Sequence, residues 1–340
     1  GFIGDLNNME TLYIFKEFFN KILKSNNLES RTENTYLNGE KRENYLFNST
    51  INGIEESDFI FLIGSNPRYE ATILNARIRK AYLKNKLKII SLNDVGDLTY
   101  PYEHLNGMSE TIKNIVEDNH KISNLIKESK KPIIILGQSA LLSKSGKYIF
   151  ESMKHFLKKN NKINDEWNSF NIISENASTV GSFDLGIFQQ NNGSNTTLSN
   201  LQNHKYDLVF LLGQDSLSFK KENEFIIYQG SHGDKGAEIA DIILPGAAYT
   251  EQDGYFTNLE GKIQKAYKAS YPPGEAMEDW QIINNLSELL KRKKIFKNKD
   301  ELLDSMFNYL KLQKATNEEK ISNLMFVNEK INIDNSNYYF

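Results

Sequence analysis

An α/β protein in two lobes is the fold class this sequence predicts, and three observations predict it. Three short apolar runs each break at a glycine followed by polar residues: Ile63-Gly64-Ser65-Asn66, Leu136-Gly137-Gln138-Ser139 and Leu212-Gly213-Gln214-Asp215. That is how a buried strand hands over to a loop or a helix. The first run lies in a strand, helix, strand succession from Asp58 to Leu92, in which the apolar spacing changes from continuous to helical and back. The length of 340 residues exceeds that of an ordinary domain of about 100 to 200 residues, which favours two modest cores over a single one.

The elements follow in order. Phe2-Ile3-Gly4 is a strand end, and Leu12, Phe15, Phe19, Ile22 and Leu23 recur at helical spacing over Met9 to Leu23. Residues 31–48 are polar and read as loop, closing in the string Asn44 to Thr50. After the strand Asp58 to Ile63, Asn66 suits an N-cap and Pro67 the first helical position of a helix running from Arg68 to about Lys84. Leu74, Ile78, Ala81 and Tyr82 form its buried stripe, while the basic run from Arg77 to Lys88 reads as a solvated face or a subunit contact. Lys88 to Leu92 is a strand, 94–104 loop, and Thr111 to Ile126 two short helical stretches. A strand at Pro132 to Leu136, a helix at Lys147 to Lys159 and a strand near Phe170 to Ile173 precede a long loop over 174–201. Strands at Tyr206 to Leu212, Phe225 to Tyr228 and Ile242 to Leu244 come next. The last, closed by Pro245-Gly246, reads as buried on both faces. Asp253-Gly254 and Glu260-Gly261 turn the chain back on itself around Tyr255 to Thr257. Helices at Met277 to Leu290 (apolar side Trp280, Ile283, Leu286, Leu290) and Glu301 to Lys314 flank a basic linker. The polar tail to Phe340 reads as a partner-docking or surface-wrapping segment.

Composition excludes several functions. The 41 basic and 44 acidic residues are interspersed, net charge −3, without the basic stripe of a nucleic-acid binder. The longest apolar run, near Phe59 to Ile63, falls far short of the roughly 18 to 20 residues of a membrane span. Abundant Asn, Lys and Ile have AT-rich codons and fit a genome bias, an organellar one included, better than disorder. Gly1 in place of Met suggests a processed or truncated beginning. Cysteine is absent, so thiolate-held iron-sulfur clusters, disulfides and Cys-based zinc sites are excluded. The five histidines, His104, His120, His155, His204 and His232, form no pair at helical ligand spacing, and no metal site is expected.

Candidate chemistry is sparse. The Gly64-Ser65-Asn66-Pro67 turn suits an anion, because free N–H groups at a helix start point at one spot, or it needs its glycine only for geometry. Gly137-Gln138-Ser139-Ala140-Leu141 lacks the second glycine of a nucleophile elbow. His232 can be read as a general base or as a loop histidine bound to backbone, and Glu251 and Asp253 as an acid and base pair or as turn residues.

The string Ala240-Asp241-Ile242-Ile243-Leu244-Pro245, with Glu251, Gly254 to Asn258 and Glu260-Gly261-Lys262, resembles the molybdopterin oxidoreductase superfamily. Tyr228 to Asp234 leading into Pro245 to Glu251 resembles one branch, the large iron-sulfur subunits of respiratory complex I, as do Asn44 to Thr50, Asp97 to Tyr100 and Tyr338-Tyr339-Phe340. The resemblance implies two Rossmann-like lobes of the formate dehydrogenase and DMSO reductase type plus a C-terminal helical segment. It sets a molybdopterin-oxidoreductase-like domain over 1–275, with a lobe at 51–125 inserted into one made of 1–45 and 131–275, and an extension over 276–340. Gly64, Asn66 and Pro67 then stand at vestigial pterin-site positions. Nothing near Asp184-Leu185-Gly186 matches the superfamily's metal-ligand motif, and Lys262 stands where the superfamily tends to have arginine, so no cofactor is expected in this chain. The implied function is a scaffold in the peripheral, matrix-side arm of complex I at the mitochondrial inner membrane, among other arm subunits. The iron-sulfur clusters would lie on a separate chain, the cluster-bearing N-terminal half, meeting Phe2 to about Leu23 and the loops facing them. An active molybdopterin-dependent oxidoreductase subunit is the alternative, and a free-standing nucleotide-binding protein a third reading.

Overall fold

The computed structural model describes residues 1–31, 33–187, 196–311 and 324–333. β1 (Phe2–Ile3) leads to α1 (Met9–Phe18), which begins where the Asn8 carboxamide oxygen accepts the Thr11 amide. β2 (Phe59–Ile63), α2 (Pro67–Glu70), α3 (Thr72–Asn85) and β3 (Lys88–Ser91) form the expected β-α-β unit. Its helix is broken in two because Ala71, at φ −153° and ψ 70°, leaves the helical region. β4 (Glu103–His104) is a short strand within the stretch read as loop. α4 (Ser109–Val116), α5 (Lys121–Glu128), β5 (Pro132–Leu136), α6 (Gln138–Leu142), α7 (Gly146–Lys159) and β6 (Phe170–Ile172) follow. The expected long loop over 174–201 carries α8 (Thr179–Asp184) and α9 (Thr196–Gln202), each too short to show a helical period in sequence. Then come β7 (Leu208–Leu212), β8 (Phe225–Gly230), α10 (Lys235–Glu238) and β9 (Ile242–Pro245). The hairpin of β10 (Gly254–Thr257) and β11 (Ile263–Ala266) precedes α11 (Asp279–Lys291) and α12 (Lys299–Lys311). The rest of the helix expected to reach Lys314 lies outside the described residues, as does the Tyr338-Tyr339-Phe340 string.

The chain divides into two compact units. Gly1–Asn34 and Asn176–Ala315 make the first, around a parallel sheet in the order β1-β7-β8-β9. Leu12, Phe15 and Phe18 of α1 pack on Phe210 and Leu212 of the sheet, with Trp280 and Ile283 of α11 and Leu302 and Met306 of α12. The helical segment expected beyond residue 275 is therefore core, although Leu290, expected on its apolar side, is exposed. The same packing buries Phe2, Ile3 and most of α1 within the unit, while Leu6 and Lys21 of the segment from Phe2 to Leu23 stay exposed. β9 is also corrected. It is an edge strand, with Ile242 at 45% and Ile243 at 56% exposure, so its apolar run does not mark burial on both faces.

Thr35–Glu175 and Thr316–Phe340 make the second unit, around the parallel sheet β4-β3-β2-β5-β6. The inserted lobe, expected over 51–125, takes in β5 and β6 as well, because β5 pairs with β2 along its whole length from Phe59↔Pro132 to Ile63↔Leu136. The Asn44 to Thr50 string acts as a clasp on the β6 edge. Asn48 donates to the carbonyls of Glu43 (2.7 Å) and Phe170 (2.6 Å), and the Ser49 amide donates to Asn171 Oδ1 (2.8 Å). Residues 324–333 wrap this unit: the Val327 carbonyl accepts Ser109 Oγ (2.8 Å) and Ser145 Oγ (2.6 Å), and Ile331 is buried.

Candidate functional site

Two places lie at the carboxyl ends of parallel strands, where open α/β sheets bind ligands. The first is the turn after β2. Gly64 has φ +60° and abuts α6 so closely that a Cβ would sit 2.4 Å from the Ala140 amide, so only glycine fits. Asn66, wholly buried, caps α2: its Oδ1 accepts the Arg68 amide (3.2 Å), while its Nδ2 donates to the Val95 carbonyl (3.0 Å). Pro67 takes the first helical position. The place an anion would take is filled by the chain itself, for the Glu70 carboxylate accepts both the Asn66 amide (2.7 Å) and Ser65 Oγ (2.8 Å). Burial, reinforced by the Glu175 charge, pushes Glu70 up to about 7 against those two hydrogen bonds. Asn66→Ala is expected to cost about 1 to 2 kcal/mol, a lost cap plus a lost tie to Val95, measured by chemical denaturation.

The second place is a crevice of about 280 Å³ in the first unit, at the ends of β1, β7, β8 and β9. The chain leaves these strands through Gly4, Gly213, Gly230 and Gly246. At Gly4 a Cβ would meet the Gly213 carbonyl oxygen at 1.6 Å, so the backbones close to a distance no side chain allows. Asp5, Asp215, Asp234 and Asp279 line the crevice with His232, and no lysine or arginine is among its described lining residues. Asp215 accepts the Tyr228 hydroxyl (2.9 Å) and the Gly236 amide (3.0 Å), and Asp279 accepts Nε2 of Gln229 (2.9 Å) and of Gln252 (2.7 Å). Burial and then the Asp215 charge hold the Asp5 carboxyl above its usual range. Burial raises Asp279 too, opposed by its glutamine donors. Burial and the Asp215 carboxylate push the Tyr228 hydroxyl upward.

The nucleotide part of a pterin cofactor brings phosphate. At the first place its amide donor is already bound to a carboxylate, and at the second it would meet four aspartates without a cation. The residues present do not fit that group.

The remaining candidates are dispersed. His232 is exposed at the crevice mouth, its Nδ1 2.9 Å from the hydroxyl of its neighbour Ser231. Glu251 closes a turn on the Ala248 amide (2.9 Å), and Asp253 accepts the Lys268 amide (2.9 Å), a tie across the open end of the β10–β11 hairpin. Lys262 sits in the β10–β11 turn, its amide on Asn258 Oδ1. Asp184 to Gly186 end α8, where the Leu185 carbonyl accepts Lys16 Nζ (2.6 Å). Gly137 leads into α6, and its added Cβ would strike the Gly64 carbonyl at 2.2 Å. Asp5 and Asp279 were missed in sequence, where a carboxylate just after a strand end and one opening a helix were the available signals.

A family model described as molybdopterin oxidoreductase matches residues 1–289. The NADH-ubiquinone oxidoreductase 75 kDa subunit of Reclinomonas americana is 41% identical over 86% of this chain and 44% of its own length. The mitochondrial NADH-ubiquinone oxidoreductase 78 kDa subunit of Candida albicans is 37% identical over 85% and 39%. That of Neurospora crassa is 36% identical over 84% and 38%. The chain thus spans less than half the length of these curated relatives. Among solved structures, acetylene hydratase from Pelobacter acetylenicus aligns over 92% of this chain and 58% of its own, with a TM-score of 0.53 and 12% identity, a likeness of fold alone.

Proposed function

Because the chain belongs to the molybdopterin oxidoreductase family, we propose that it works as an architectural part of the peripheral arm of NADH:ubiquinone oxidoreductase, supporting NADH-to-quinone electron transfer without carrying a cofactor itself. The observation that carries this reading is the 36 to 41% identity to large subunits of that name over some 85% of the chain. The seating of Glu70 where a phosphate would bind supports it. In this reading Gly64, Asn66 and Pro67 serve the fold only. The iron-sulfur clusters belong to a separate chain, the cluster-bearing N-terminal half, and the assembly sits on the matrix side of the mitochondrial inner membrane. In this reading that partner contacts Phe2 to about Leu23 and the loops facing them through exposed positions such as Leu6 and Lys21, since Leu12, Phe15 and Phe18 belong to the core.

The test is a native gel of detergent-solubilised membranes followed by mass spectrometry, with elemental analysis of the purified chain. The chain is expected to migrate with the band of NADH dehydrogenase activity, together with a cysteine-rich polypeptide, and to hold molybdenum and tungsten far below one atom per chain. About one molybdenum per chain would establish the alternative, an active molybdopterin-dependent oxidoreductase subunit. A chain found only apart from the activity band would remove the arm assignment.

A further inference from the structure

Residues 326–331 lie on the second unit as an extended segment held through its main chain, with Lys330 bridged antiparallel to Met108. Both backbone groups of every second residue are bound. The Val327 amide donates to Ser145 Oγ (2.8 Å), and its carbonyl accepts the hydroxyls of Ser109 (2.8 Å) and Ser145 (2.6 Å). The Glu329 amide donates to Ser109 Oγ (2.9 Å), and its carbonyl accepts the Ser109 amide (2.9 Å). The Ile331 amide donates to the Gly107 carbonyl (3.0 Å), and its carbonyl accepts Asn93 Nδ2. Gly107, at φ +71°, has to be glycine there, because a Cβ would strike Asn93 Oδ1 at 2.3 Å. Three side chains are held as well. Ile331 is wholly buried, and the Glu329 carboxylate accepts the Ser145 amide (3.0 Å) at the start of α7, where the helix dipole favours an anion. Phe326 packs on Tyr148, with ring centroids 4.9 Å apart, and Lys113 Nζ stands 5.1 Å over its ring. Asn328 and Lys330, at the positions between, are exposed.

We propose that the second unit carries a recognition site for one extended segment of the pattern aromatic-Val-x-acid-x-Ile, and that residues 326–331 occupy it as a tethered ligand that can leave without unfolding the unit. Main-chain bonds at every second residue are how a sheet edge takes up a peptide, and pockets for the alternate side chains supply the choice. Here Ser109, Ser145 and Asn93 stand in for much of the edge strand. The groove is fixed without its guest. Ser109 opens α4, where Asn106 Oδ1 accepts the Met108 amide (3.3 Å) and the Thr111 hydroxyl (2.6 Å), and the Ser145 carbonyl accepts the Ile149 amide of α7 (2.8 Å). The guest itself is shallow. Over 324–333 only Ile331 is fully buried, whereas all five residues of β5 are. A segment of the same pattern on another chain competes for the same bonds.

The experiment uses the whole chain and a fluorescent peptide of residues 324–333, with binding followed by anisotropy. Ile331→Asp, which ejects the tethered copy, is expected to bind the peptide saturably. The native chain binds it at least about tenfold more weakly, because its own segment competes at high effective concentration. Ser145→Ala added to Ile331→Asp removes both hydroxyl bonds to Val327 and weakens the peptide by about tenfold. A peptide carrying Glu329→Lys should not bind, since a cation would then face the start of α7. Hydrogen exchange of the native chain gives a measure that needs no variant. The amides of Val327, Glu329 and Ile331 are expected to exchange slowly and those of Asn328 and Lys330 fast. The slow three still exchange at least about tenfold faster than the amides of β2, as a segment that opens by itself does. The proposal is overturned if Ile331→Asp no longer melts cooperatively, since the segment is then core, if the peptide binds the native chain as tightly as Ile331→Asp or binds neither, or if the three amides exchange only as slowly as those of β2.

Discussion

Glu70→Gln is expected to make the protein more stable at pH 8 by up to about 3 kcal/mol while leaving it nearly unchanged at pH 4. Burial raises the folded-state pKa of Glu70 from 4.5 to about 7. The folded state therefore holds this proton to higher pH than the unfolded chain does. The contribution of Glu70 is fully present below pH 4.5 and is lost as pH rises through about 7. At about 1.4 kcal/mol for each pH unit between the two values, the loss reaches about 3 kcal/mol, an upper figure because the residue keeps some contact with solvent. Glutamine retains an oxygen for the Asn66 amide and gives Ser65 Oγ an amide to pair with, without a charge to desolvate. Asp5, Glu10 and Asp279, also raised by burial, titrate alike in both proteins, so the difference between the two isolates Glu70. Urea unfolding at pH 4, 6 and 8 decides it, and parallel curves for the two proteins would sink the idea.

Phe15→Ala is expected to destabilise the first unit by about 3 to 5 kcal/mol, the usual cost of removing a fully buried ring whose surroundings relax only in part. Phe15 is wholly buried, its ring centroid 4.8 Å from that of Phe19 and 5.1 Å from that of Phe210 in β7. It ties helix to sheet. Ile73→Ala on α3, 73% exposed, is the control and should change stability by less than about 0.5 kcal/mol. Equal midpoints in guanidinium for both variants would mean that α1 is not packed as described.

Local signals carried much of this fold into the sequence. The glycine breaks after Ile63, Leu136 and Leu212 mark true strand ends, the Asn66 cap stands where its neighbours Gly64 and Pro67 imply, and Glu260-Gly261 closes a hairpin, whereas Asp253-Gly254 leads straight into β10. What stayed hidden depends on pairing across long separations. Asn48 meets Phe170 across 122 residues, so the Asn44 to Thr50 string looked conspicuous without an evident use. Asp5 and Asp279 come to one crevice because the sheet order puts β1, β7, β8 and β9 side by side and Met277 pairs with Gly246 past the end of β9. The exposure of β9 likewise follows from its place at the edge, which an apolar run cannot reveal. Glu70 reaches back four residues with its side chain, a return that leaves no mark in hydrophobic spacing.

The pairing of Phe2 with Leu211 has a consequence in time rather than in space. During synthesis α1 leaves the ribosome with Leu12, Phe15 and Phe18 facing water, and the strand that covers them is made some two hundred residues later. At about 5 to 20 residues per second that wait lasts roughly 10 to 40 seconds. Meanwhile Thr35–Glu175 can already join β2, β3 and β5 into a sheet. The nascent chain therefore carries an uncovered apolar helix until β7 is made, and a pause in translation before Leu212 lengthens that interval.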